Sequence, residues 1–216
     1  MLKGKIVVPG EKVENEIKEN IYFRNGEKYS QIVGLIEEKK DIITPLNFTY
    51  LPKVGDKVIG IIEEIEASGW FVNINAPHFA FLPLAEALNE FVDVFRTDLS
   101  KFFNIGEIIY AKIINIIGNR IIQVSIKEEG AKLEDGVIIK TLPSKVPRII
   151  GKNASMLKIL QEKTNCKIIV GNNGLIWVKG EKIDKVYEAI KLIEKESHLS
   201  GLTEKVAKLL ENGWVN

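Results

Sequence analysis

A chain of 216 residues with 45% hydrophobic residues is long enough for one to three domains with real cores, and a formal net charge of +1 argues against a uniformly basic nucleic-acid binder. Its single cysteine, Cys166, excludes an intramolecular disulfide and any Cys-based zinc site, and reads as a small buried residue at a helix-to-strand junction. No apolar run approaches the roughly 20 residues of a membrane span and no signal-type segment opens the chain, so a cytoplasmic protein with no membrane partner is expected.

Residues 1–52 read as short strands joined by tight turns. Ile6-Val7-Val8 runs into Pro9-Gly10-Glu11, a strand followed by a Pro-Gly turn. Tyr22-Phe23-Arg24-Asn25-Gly26-Glu27-Lys28-Tyr29 sets Asn-Gly between strand-like flanks, a strong hairpin signal. Gln31 to Glu37 and Asp41 to Thr44 continue the pattern across Glu38-Lys39-Lys40. A β unit this small is marginal alone. It also lacks a basic cluster, so a protein surface rather than RNA is its expected docking partner.

Residues 53–130 form a second β unit. Val54-Gly55-Asp56 turns into a strand running to Ile65, and Gly69 to Ile74 is the next. Ala80 to Ala87 follows a break at Pro77. Ile105 to Ile116 is a long strand, and a Gly118-Asn119 turn leads to a last one over Arg120–Glu128. Five strands with one helical insert before the fourth fit a five-stranded OB-type barrel. The run resembles the S1 RNA-binding domain. Val54-Gly55-Asp56-Lys57-Val58-Ile59-Gly60 matches its V-G-D-x-V-x-G, and Gly69-Trp70-Phe71-Val72 matches G-x-F-V. Ala80-Phe81-Leu82-Pro83-Leu84-Ala85-Glu86 stands where that family has G-L-V-H-I-S-E, and Arg120 opens the closing R-I-x-x-S-I-K-E. Ser68 and Pro83 replace a usual surface aromatic and a usual histidine. The resemblance implies RNA contacts from Trp70, Phe71, Phe81, Lys112 and Arg120. Strand alternation sends Trp70 and Phe71 to opposite faces, with Phe71 favoured as the surface ring. His78 reads as an exposed loop residue rather than a ligand.

Residues 131–216 hold a third unit. Gly136 to Thr141 reads as a strand. Pro143 to Ile150 is a helix in which Pro147 is awkward, and Ala154 to Thr164 is a second helix with Met156, Leu157, Ile159 and Leu160 on its apolar face. Strands over Lys167–Val170 and Leu175–Lys179 are joined by Gly171-Asn172-Asn173-Gly174. Ile183 to Lys195 is a third helix, and Leu202 to Leu210 an amphipathic segment that packs back. The order is that of the type I KH fold, and Arg148-Ile149-Ile150-Gly151-Lys152-Asn153-Ala154 resembles the I-I-G-x-x-G signature of the KH RNA-binding domain. Such a loop clamps a single-stranded backbone of about four nucleotides. Gly151 lets the chain approach a phosphate, and the start of the following helix offers free N–H groups to an anion. Lys145, Arg148, Lys152, Asn153 and Ala154 complete the candidate site, with Ala154 standing where the family has glycine. Residues 137–198 carry twelve Lys/Arg against six Asp/Glu, so polyanion contact is expected to be local to this part.

The fold class is therefore multidomain α+β: a small N-terminal β domain, an S1/OB-type barrel and a type I KH-like domain. No nucleophile triad, Walker loop or metal-binding carboxylate cluster is legible, so no enzyme activity, cofactor or metal is expected. The order of modules, with the Val8-Pro9-Gly10-Glu11 opening, resembles the RNA-binding cap subunit of the archaeal exosome, the ribosomal RNA-processing protein 4 family. That resemblance implies a trimer of caps on a hexameric phosphorolytic 3′→5′ exoribonuclease ring, threading single-stranded RNA. Two other readings stay open: an S1–KH transcription elongation or antitermination factor, and a structural adaptor with weak RNA binding.

Overall fold

The computed structural model describes residues 4–13, 16–37, 43–45, 50–88, 98–118, 121–128, 130–197 and 201–211. The chain divides into two compact units, Met1–Phe48 and Thr49–Asn216. In the first, β1 (Gly4–Val7) lies antiparallel to β4 (Gly34–Glu37), which pairs with β5 (Ile43–Pro45). The strand expected over Ile6-Val7-Val8 ends at Val7, and the expected Pro-Gly turn follows it, with Gly10 at φ +86° and the Glu11 N–H donating to the Val8 carbonyl. In the chain between β1 and β4, β2 (Ile21–Arg24) and β3 (Glu27–Ser30) form a separate hairpin. Asn25 and Gly26 both take positive φ there, the demand of a type I′ turn. Val7, Val13, Ile17, Ile32 and Ile43 form the small buried core. The strand expected over Asp41–Thr44 is described only from Ile43, its first residues lying outside the described set.

The second unit begins with the barrel. Its strands are β6 (Lys57–Glu66), β7 (Gly69–Asn73), β8 (Ala80–Pro83), β9 (Ile108–Ile117) and β10 (Ile121–Ser125). They run in the order β10-β8-β7-β6-β9, and β9 pairs back on β10 to close the barrel. Alternation fills the interior with Val58, Ile62, Trp70, Val72, Leu82, Ile109, Ile113 and Val124. Helix α1 (Leu84–Ala87) takes over where β8 ends at Pro83, and Leu99 and Phe103 close the core farther on. The motif glycines are spatial necessities. A Cβ on Gly60 would lie 2.3 Å from Val72, and one on Gly69 (φ +155°) 2.1 Å from the Leu82 carbonyl oxygen. Asp56 accepts from the Tyr50 hydroxyl (2.5 Å) and the Lys53 N–H (3.2 Å), tying the incoming chain to the first barrel strand. Burial, with that hydrogen bond, pushes the Tyr50 phenol above its ordinary range. A sixth strand, β11 (Ala131–Leu133), adds to the edge of β9 and was not expected from the sequence.

The KH-like part has β12 (Val137–Lys140), a 3-10 turn over Pro143–Lys145, α2 (Val146–Ile150) and α3 (Ser155–Thr164). Then follow β13 (Lys167–Val170), β14 (Leu175–Lys179), α4 (Ile183–Glu196) and α5 (Leu202–Glu211). The sheet is antiparallel in the order β12-β14-β13. Pro147 disturbs nothing, because it falls in the first turn of α2, where no N–H donor is needed. Met156, Leu160, Val186, Ile190 and Ile193 are buried, joined by Leu202, Val206 and Leu210 of α5. Cys166 is buried in the same core.

Barrel and KH-like part share an apolar seam of Ile59, Leu133, Leu175 and Trp177. The β13–β14 turn locks it. The Asn173 side chain, fully buried, donates to the carbonyls of Ile59 (2.6 Å) and Ile74 (2.8 Å), and accepts from the Ile59 N–H (3.3 Å). Beside it, Asn172 exchanges two hydrogen bonds with the Lys57 backbone. Gly174 bends the turn at φ +78°, and a Cβ there would meet the Thr141 carbonyl oxygen at 2.5 Å.

Candidate nucleic-acid interface

The barrel face is built from β7 and β8. Their register places Phe71 directly opposite Phe81, and the rings lie 5.3 Å apart, tilted by 58°. Both are half-buried on the outside of the barrel. Gly69 makes room for this pair, since a Cβ there would stand 3.0 Å from the tip of the Phe81 ring. The same row continues through Gln123 on β10 and Asn115 on β9. Two rings with the amides on one side and Glu64 of β6 opposite Phe71 on the other offer stacking surface with hydrogen-bonding edges, the chemistry that holds single-stranded bases without choosing among them.

Trp70 leaves the candidate set. Its side chain is fully buried, its indole N–H donates to the Phe103 carbonyl (3.1 Å), and its ring packs edge-on against Phe103. Such a group has no face left for a base. Lys112 lies on the outside, but register sets it against Lys57 and Ser125 rather than beside the phenylalanines, with its ammonium 3.0 Å from Glu128. Arg120 lies outside the described residues. His78 is exposed in the β7–β8 loop.

The second site is the loop between α2 and α3. Gly151 takes φ +74°, and a Cβ there would fall 2.8 Å from the Met156 nitrogen. Asn153 and Ala154 are both left-handed, at φ 52° and 60°. Ala154 is the residue that caps α3, and it has no side-chain oxygen to meet the first N–H groups of the helix. The Ser155 N–H donates to the Lys152 carbonyl, and the N–H groups that follow it meet no cap side chain, which leaves them to face an anion. Lys152 and Asn153 are exposed at the tip, and Arg148 is exposed on α2. Lys145 is half-buried, its ammonium bonded to the Ser197 hydroxyl (2.6 Å). Alanine therefore holds the backbone shape that a glycine would adopt without strain. Left-handed geometry costs an L-residue roughly 1–2 kcal/mol, against the larger entropy that glycine loses on folding. Ala154→Gly is expected to stabilise the protein by about 0.5–1 kcal/mol in urea unfolding, with RNA affinity held or raised. A fall in both would mean that the alanine methyl makes a contact that matters.

Sequence reasoning missed Asn173, read only as part of a turn, and missed Phe79, which stands exposed immediately before β8, two residues ahead of Phe81. The alternation of Phe79-Ala80-Phe81-Leu82 was the signal for the latter.

Comparison with known proteins adds the following. The family model described as RRP4, S1 domain matches residues 49–115, and the KH domain model matches residues 136–184. The chain is 43% identical to exosome complex component Rrp4 of Pyrococcus horikoshii over 197 residues, covering 87% of this chain and 74% of that protein. It is 39% identical to exosome complex component Rrp4 of Pyrobaculum aerophilum over 218 residues, covering 96% and 92%. A crystal structure of a protein described as a candidate exosome complex RNA-binding protein matches with a TM-score of 0.69 at 36% identity, covering 76% of this chain and 95% of that one.

Proposed function

This chain belongs to the exosome complex component Rrp4 family, and from that premise we propose that it is a non-catalytic RNA-binding cap of an archaeal, cytoplasmic exosome. Three copies sit on a hexameric phosphorolytic 3′→5′ exoribonuclease ring and guide single-stranded RNA into it. The observation that carries this reading is the half-buried Phe71–Phe81 pair on the outside of a barrel whose seam with the KH-like part fixes where the Gly151–Ala154 loop stands. One surface stacks bases and the other holds backbone phosphate. The N-terminal unit supplies the grip on the ring. Its β2–β3 hairpin exposes Phe23 at 68% and Tyr22 at 39%, apolar surface suited to a protein partner.

The test combines chain, ring and labelled single-stranded RNA with phosphate and magnesium. Alone, the chain is expected to bind RNA with an affinity that falls as salt rises, because phosphate contacts release counterions, and to leave the RNA uncut. With the ring, it is expected to co-purify and to speed shortening of the RNA. Deletion of residues 1–48 is expected to abolish co-purification and keep RNA binding. Shortening by the stringently purified chain alone, or undiminished ring association after the deletion, would overturn the corresponding part.

A further inference from the structure

We infer that the RNA face of the barrel extends past the Phe71–Phe81 pair onto Phe79, which stacks a further nucleobase over an apolar floor made by Ile121 and Ile117. This rests on the RNA-binding reading proposed above and deepens it.

Register carries the argument. Phe79 immediately precedes β8, in which Ala80 and Leu82 are fully buried; Phe81 lies on the outer side of the strand, and Phe79 stands exposed just ahead of it. They are two residues apart, about 6.6 Å at 3.3 Å per residue. Phe79 is 55% exposed. The parallel pairing of β8 with β10 sets Ile122 against Ala80, and Ile121 and Phe79 are the residues that directly precede that pair. The antiparallel pairing of β10 with β9 sets Ile121 directly opposite Ile117. Both isoleucines are about half exposed, at 53% and 50%. Three solvent-facing apolar side chains thus lie at neighbouring places, Phe79 at the start of β8, Ile121 on β10 and Ile117 on β9. They lie beside the row of Phe71, Phe81, Gln123 and Asn115.

Single exposed hydrophobics are ordinary and ask for no explanation. Three grouped beside an aromatic pair are a surface. Its size and edges favour a base over a protein. A stable protein interface takes on the order of 800 Å² from each partner, whereas this strip is one side chain deep. Asn73, which follows the Val72–Ala80 pair on β7, has its amide held 2.9 Å from Glu63. Gln123 and Asn115 border the strip on the side of the Phe71–Phe81 row. A flat ring bordered by amides accepts a base by stacking and its edge by hydrogen bonding, whatever the base.

The test is fluorescence anisotropy with the full chain and uridine oligomers of increasing length, on the parent, Phe79→Ala, Phe79→Leu and Phe71→Ala. Phe79 is exposed, so the fold tolerates its truncation, and circular dichroism checks this. Phe79→Ala and Phe79→Leu are expected to weaken binding of the longer oligomers by roughly 5- to 150-fold. The shortest binding oligomer is expected to be unaffected, and the salt dependence to be unchanged, because no charge is removed. If Phe79→Ala binds every length like the parent while Phe71→Ala is weakened, the extension is wrong and the proposed RNA face stands. If neither variant is weakened, the RNA reading of the barrel falls with it. If Phe79→Ala keeps RNA binding but no longer assembles with the exoribonuclease ring, the strip is a protein contact and the inference is overturned.

Discussion

Asn173→Ala is expected to lower stability by about 3–5 kcal/mol, the largest effect of any single polar truncation considered for this chain. The substitution removes the amide that meets both the Ile59 and Ile74 carbonyls and the Ile59 N–H. These groups sit at a seam where water is excluded, and a buried polar group left unpaired costs about 1–3 kcal/mol. Asn172→Ala is the control. Asn172 is exposed, and its N–H bond to the Lys57 carbonyl survives the change. It is expected to lose about 1 kcal/mol, the worth of one ordinary hydrogen bond. Urea midpoints with matched m-values measure both. If Asn173→Ala lies within 1 kcal/mol of the parent, the seam owes its stability to Ile59, Leu133, Leu175 and Trp177 alone. A destabilised seam is also expected to weaken long RNA more than short RNA, because the barrel face and the KH-like loop then lose their fixed spacing.

Phe71→Ala with Phe81→Ala is expected to give the largest loss of RNA affinity. A stacking ring contributes about 1–3 kcal/mol per base by alanine substitution. The two rings touch one another, with centroids 5.3 Å apart, so the double variant is expected to depart from the sum of the singles. Its salt dependence should match that of the parent, which separates lost stacking from lost phosphate contact. Phe71→Leu and Phe81→Leu keep the apolar cover over Gly69 and report on folding. Parent-like RNA binding by the double alanine variant would remove the barrel from the RNA path. The site would then move to the loop around Lys152.

Much of this architecture is written in local pattern. The barrel strands follow from alternation that buries Val58, Trp70, Val72 and Leu82, and the hairpin turn from Asn25-Gly26. The S1-type glycines are legible because each answers a local demand: no side chain fits at Gly60 or Gly69. What escaped the sequence depends on distant partners. β11 is three residues long and becomes a strand only because the edge of β9 is there to receive it. Asn173 resembles any turn asparagine until the barrel is placed beside it. Trp70 entered the candidate set as the aromatic beside the motif's Phe71; alternation set the two on opposite faces, and the indole bond to the Phe103 carbonyl makes Trp70 the inner one. The loop strain at Ala154 is legible as a departure from a glycine pattern, but its left-handed φ is visible only in three dimensions.

The seam between barrel and KH-like part also bears on how the chain is made. Asn173 and Ile59 are 114 residues apart in sequence. A ribosome releases the chain from its N-terminus, and domains fold as they emerge. The barrel strands are thus complete while the turn that covers Ile59 is still unsynthesised. During that interval a freshly folded barrel shows Ile59 and its neighbours to solvent, and contacts that close such long loops come late. Nascent chains halted before residue 171 should therefore be aggregation-prone and good chaperone clients, and should lose both traits once Asn173 and Trp177 have cleared the exit tunnel.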